Sequence, residues 1–167
     1  YPDHGTSSVG LVQSADIAMY HVKETGKNNY AVFDSAMNMD RFAQIQLEQE
    51  LRRALAKSEL EVHYQPVVSL SSGEITGVEA LARWNHPRLG LMAPSRFLDL
   101  AEEAGLVADL DNFVQRCAMQ QVSEWQAAGH DICVSINASA AQLEREEFAS
   151  TFAATLKASG IAAANVK

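Results

Sequence analysis

Cysteine is scarce: only Cys117 and Cys133 occur in 167 residues, with no CxxC pair and no Cys/His cluster. That argues against a disulfide framework or a structural metal and makes a reduced cytosolic compartment the simplest setting. Positive charge is also short, with 13 basic against 21 acidic residues and a formal net charge of -8. A general polyanion binder is disfavoured, and polymeric nucleic acid is not an expected partner, although a local pocket can still hold a phosphate. Long apolar runs are missing as well. Nothing approaches the roughly 18 to 20 residues that cross a bilayer, and no basic-then-apolar leader opens the chain. No internal repeat or low-complexity tract occurs.

What is present is enough for a core, since 47% of the residues are apolar and 20% charged. Disorder is excluded as a global description, because a chain of this size buries roughly 70% of its unfolded surface. Both ends are abrupt. Tyr1-Pro2-Asp3-His4-Gly5 reads as a turn with no element before it and no initiating Met, and Ile161 to Lys167 opens a strand and stops. The expectation is a segment of a longer protein.

Apolar residues at Val9, Val12, Ala15, Ala18, Met19 and Val22 have helical spacing over Ser7 to Lys23, with Gly26 as the stop. Asn29 to Phe33 reads as a short edge strand, and Met39 to Lys57 as a helix whose loose stripe suits a connector rather than core. After Ser58 the pattern becomes strand, strand, helix, helix, strand, helix, an α/β grammar. The predicted strands are Leu60 to Leu70, Ile75 to Trp84 and Asp131 to Ala138; the predicted helices are Pro94 to Ala104, Val107 to Ala127 and Gln142 to Ser159. The turn Ser71-Ser72-Gly73-Glu74 is too short for a crossover, so the first two strands run antiparallel.

The second strand carries the chemistry. Side chains alternate along a strand, so Gly77, Glu79, Leu81 and Arg83 share one face while Val78, Ala80, Ala82 and Trp84 share the other. If the apolar face packs under helices, Glu79 needs a cation or a partner. An internal pair with Arg83 and a ligand site both satisfy that need. In the third strand Cys133, Ser135, Asn137 and Ser139 oppose Ile132, Val134 and Ile136, which places Asn137 at the carboxyl end, where α/β sheets hold ligands. A Glu carboxylate and an Asn carbonyl form a hard-oxygen set suited to Mg²⁺ or Mn²⁺. The alternative is that Asn137 caps the helix starting near Ala141. Gln65, before Pro66 in the first strand, either binds a ligand or bonds its neighbours. His63 and His86 read as surface or packing residues, and neither has an evident partner.

These residues, with their surroundings, resemble the EAL domain family of bacterial cyclic di-GMP phosphodiesterases. Leu60 to Asn85 reads LEVHYQPVVSLSSGEITGVEALARWN, with the family's triplet at Glu79-Ala80-Leu81. The likeness continues through His86-Pro87, Gly90, Pro94, AEEAGL at Ala101 to Leu106, Trp125 to Gly129 and Ile136-Asn137-Ala138-Ser139. YPDHG and ADIAMYHVKETGKNNY, in Tyr1 to Phe33, look like the tail of a GGDEF (diguanylate cyclase) domain. The GGDEF signature is absent, so no cyclase activity is expected. Lys23 and Lys27, which match phosphate-contacting residues there, read here as solvated charges at a helix end.

The resemblance implies a partial (β/α)8 TIM-like barrel with its first strand antiparallel, arranged as a GGDEF remnant over 1–36, a connecting helix over 37–58 and the N-terminal part of an EAL domain over 59–167. It implies cleavage of cyclic di-GMP to pGpG in the cytoplasm, by a parent that is either wholly cytoplasmic or membrane-anchored with this part in the cytoplasm, with Mg²⁺ or Mn²⁺ held by Glu79 and Asn137. Arg83 would contact a phosphate, and Gln65, Leu81 and Pro94 would line the nucleotide pocket. A homodimer through the EAL domain is the assembly implied, with no membrane contact from this segment. A whole barrel needs about 250 residues, so further acidic ligands and a lysine that assists water would lie downstream. The alternative is a degenerate EAL module that senses cyclic di-GMP without cutting it. The segment alone is expected to be inactive.

Overall fold

The computed structural model describes residues 4, 6–24 and 28–167. Most of the YPDHG run, the helix stop at Gly26 and Lys27 lie outside the described residues. The chain forms two compact units, Tyr1–Gln49 and Glu50–Lys167. The boundary falls inside a helix rather than at either end of one.

In the first unit, α1 (Ser8–Glu24) forms where the spacing predicts, but of the predicted stripe only Ala18 is buried while Val9, Val12 and Met19 are exposed; Lys23 lies in its last turn. The expected strand at Asn29 to Phe33 is not formed: the segment is coil, following a bend at Asn28. Its apolar alternation has no strand beside it among the described residues, and a lone strand leaves its backbone groups unpaired. The second helix, α2 (Ser35–Ala54), begins earlier than predicted, where Asp34 Oδ1 accepts from the main-chain N–H of Ala36 at 3.0 Å.

The second unit begins in the last turn of α2. Leu51 and Ala54 are each 1% exposed, so this turn belongs to the core and is not merely a connector. Four strands follow: β1 (Leu60–Val68), β2 (Ile75–His86), β3 (Gly90–Met92) and β4 (Cys133–Ile136). β2 lies inside the sheet. It pairs antiparallel with β1 along one side; on the other it pairs parallel with β4 at Gly77 to Ala80 and antiparallel with β3 at Trp84 to His86. The antiparallel hairpin of β1 and β2 is as expected from the short turn. β3 was not predicted, and its three residues are too few to show a period.

Helices cover one face. The expected helix over Pro94 to Ala104 divides into a 3-10 turn, Pro94–Arg96, and α3 (Leu98–Glu103), because Phe97, at φ -138°, leaves the helical region. The long α4 (Val107–Ala127) has the predicted bounds and buries Val114, Ala118, Met119 and Val122. The last predicted helix is two: α5 (Ala140–Leu143) and α6 (Phe148–Ser159). Glu146 and Glu147 precede α6, where negative charge favours a helix start. The closing strand reduces to a 3-10 turn, Ala163–Asn165, and one parallel bridge of Val166 to Val134. This sheet, with its antiparallel first strand and helices on one face, is an arc of a TIM-like α/β barrel. No helix among the described residues is long and apolar enough to cross a membrane.

Candidate active site

The two faces of β2 separate as alternation requires. Val78, Ala80, Ala82 and Trp84 are buried at 6%, 2%, 8% and 0% exposure, beneath the helices. Glu79, Leu81 and Arg83 are partly exposed on the opposite face. Register fixes who stands beside them. Gln65 of β1 is directly opposite Glu79, His63 opposite Leu81 and Glu61 opposite Arg83. On the other side Glu79 pairs with Ser135 of β4, and Asn137 follows two residues later on the same face.

Glu79 and Asn137 meet directly: Asn137 Nδ2 donates to Glu79 Oε1 at 2.9 Å. The suggested Glu79–Arg83 pair is not how these side chains are satisfied, since Arg83 Nη1 donates to the carbonyl of Ala82 at 2.7 Å. Nor does Asn137 cap the next helix. Ser139 does so, its Oγ accepting from the main-chain N–H of Gln142 at 3.2 Å. A capping carboxamide is therefore not the reason for Asn137's position.

Leu81, Pro94 and Asn137 line a cavity of about 360 Å³ together with Ala80, Ala82, Leu110 and Val114 of the helix-covered side; Glu79, Gln65 and Arg83 do not line it. The fold thus brings Leu81, Pro94 and Asn137 around one space, ties Glu79 to Asn137, and sets Gln65 across from Glu79 on the neighbouring strand. Arg83 stays on the same face, two positions beyond the cavity-lining Leu81.

The histidines are a surface residue, His63, and a packing residue, His86, as expected, and each has a partner that the sequence does not reveal. His63 lies 3.2 Å from Glu61. His86 is 2% exposed and donates from Nε2 to Glu50 at 2.8 Å, while its Nδ1 accepts the main-chain N–H groups of Arg88 and Leu89. The His86 bond, aided by Arg88 at 2.9 Å, lowers the Glu50 pKa from its ordinary 4.5. This group stands apart from Glu79 and ties α2 to the end of β2.

Sequence reasoning missed Asp111, Gln115 and Gln142, which hold Ser139 and its turn. The spacing Ser139-Ala140-Ala141-Gln142 is an S-x-x-Q helix-start pattern and marks the Ser139 cap. Nothing local marks Asp111 or Gln115, because their partners are 27 and 28 residues away.

A sheet with an antiparallel first strand, a parallel partner for β2 and helices on one face, with an acid and an amide in contact on the other, has the architecture of an α/β barrel protein. The comparisons give the family. Residues 48–167 match the EAL domain, and the chain belongs to the EAL domain family. MucR of Pseudomonas aeruginosa, a bifunctional diguanylate cyclase/cyclic di-GMP phosphodiesterase, is 43% identical over 143 residues, covering 85% of this chain. PdeR of Escherichia coli K12, a cyclic di-GMP phosphodiesterase, is 39% identical over 142 residues, again 85% of the chain. The chain spans 21% of the length of each of these relatives. Among solved structures, the PaMucR phosphodiesterase in its c-di-GMP complex aligns with a TM-score of 0.70 at 36% identity, over 72% of this chain and 49% of that one. The Xanthomonas citri FimX EAL domain in complex with c-diGMP aligns with a TM-score of 0.68 at 25% identity, over 77% of this chain and 50% of that one.

Proposed function

We propose that this chain is the N-terminal part of an EAL domain, within a cytoplasmic protein that hydrolyses cyclic di-GMP to pGpG. The observation that carries the reading is the 2.9 Å contact between Glu79 and Asn137 on the open face of the sheet. A carboxylate and a carboxamide so close offer hard oxygen donors to Mg²⁺ or Mn²⁺, so the residues present fit such an ion as part of its ligand set. Among the described residues no group of three His, Cys, Asp or Glu could hold a metal unaided. Other ligands would come from outside this chain.

When bound, the cation supplies charge neutralisation at the phosphoryl oxygens and an activated water. The chain's own residues bind and orient. Arg83, a planar fork of donors, contacts a phosphate of the dinucleotide. Leu81 and Pro94 provide apolar wall for a guanine, and Gln65 supplies hydrogen bonds beside Glu79. Residues 1–36 are the tail of a GGDEF domain and 37–58 the helix connecting it, a reading supported by MucR, whose alignment covers most of this chain and whose name joins both activities. A homodimer through the EAL domain completes the proposed assembly.

The test is pGpG release from cyclic di-GMP by the full-length protein with Mn²⁺, for the wild type and Glu79→Ala. Loss of a ligand should lower the rate by 100-fold or more, about 3 kcal/mol in the barrier. An unchanged rate removes Glu79 from the site. Tight binding of cyclic di-GMP without release by the wild type would identify a sensor instead.

A further inference from the structure

A polar network built around buried Gln115 and Gln142 joins the first turns of α4 to the turn that bears Asn137. Ser139, two residues past Asn137, donates both its main-chain N–H, at 3.0 Å, and its hydroxyl to Asp111 Oδ2. The same hydroxyl accepts from the main-chain N–H of Gln142. The Gln142 carboxamide then accepts from Gln115 Nε2 at 2.8 Å and donates to Asn112 Oδ1 at 3.0 Å. Gln115 and Gln142 are only 3% and 2% exposed.

The β2–β4 ladder ends at the Ala80–Ile136 pair, so Ala138 and Ser139, just past Asn137, lie outside it. What holds this turn is the clamp on Ser139. Buried amides left unpartnered are costly, so a chain in which Gln115, Gln142 and Asn112 satisfy one another selects a single arrangement of α4, α5 and the turn between β4 and α5.

We propose that Ser139 is a positioning residue for the metal pair: gripped by Asp111 and Gln142, it sets the turn so that the Asn137 side chain meets Glu79 at a shared divalent cation. The inference rests on the reading of Glu79 and Asn137 as ligands. It assigns Ser139 no contact with the ion. Residues that orient metal ligands typically carry 10- to 100-fold of the affinity.

The test is Mn²⁺ affinity of the full-length protein, followed by electron paramagnetic resonance of the free ion without substrate or turnover. Ser139→Ala should raise the Mn²⁺ Kd about 10-fold or more, and Ser139→Thr, which keeps the hydroxyl, should stay within about twofold of the wild type. Asp111→Leu removes the clamp from the helix side and should match Ser139→Ala, so it decides the matter if the alanine variant does not fold. Wild-type affinity in Ser139→Ala or Asp111→Leu, with Mn²⁺ binding lost in Glu79→Ala, overturns the positioning role and leaves the ligand reading intact. Wild-type affinity in Glu79→Ala overturns the ligand reading and this inference together.

Discussion

Gly77 of β2 lies hard against β4: a Cβ built there would lie 2.8 Å from the Cys133 carbonyl oxygen. The obstacle is backbone, which cannot swing aside as a side-chain tip would. Gly77→Ala should therefore part the two strands and destabilise the domain by about 1–3 kcal/mol, as read from urea midpoints. At the other end of the strand, Glu50 is held ionised first by its hydrogen bond to His86 and then by Arg88. A carboxyl with a depressed folded pKa adds stability above its unfolded value of 4.5 and loses it as pH falls through the folded value. The stability gap between wild type and Glu50→Gln, measured by urea unfolding, should consequently be present at pH 7 and shrink as pH drops below 4.5.

Among the elements, β1 is fastened to α4 by one aromatic residue. The Tyr64 ring meets Trp125 edge-on at 4.8 Å, and its hydroxyl donates to the Cys117 carbonyl at 3.3 Å. Burial pushes the Tyr64 pKa up to about 12, so the hydroxyl remains a donor throughout the neutral range. Tyr64→Phe should cost about 1 kcal/mol in chemical denaturation, the net value of one hydrogen bond. How much of this was legible differs by element. α4 and the two-faced β2 carry unbroken periods, which a sequence displays directly. The break between α5 and α6 does not show, since the apolar spacing runs on through a turn that the Ser139 cap and the charged residues before Phe148 create. Glu79 and Asn137 could be placed on one face from alternation; that they touch depends on parallel register between strands more than 50 residues apart.

Across the whole molecule, helices shield one side of the sheet while the side bearing Gln65, Glu79 and Arg83 is partly or fully exposed. The two proposed oxygen donors are few for Mg²⁺, which takes about six ligands, and a net charge of -8 offers an anionic dinucleotide little attraction. The 167-residue chain by itself should accordingly release no pGpG in the presence of Mn²⁺, as followed by chromatography of the products.

The placement of β2 has a dynamic consequence. Flanked by β1 on one side and by β4 on the other, the stretch Gly77 to Ala80 should exchange its amide protons with deuterium only when the entire unit opens. Glu79 therefore sits on backbone paired on both sides, and the proposed ligand would meet a segment that is already ordered.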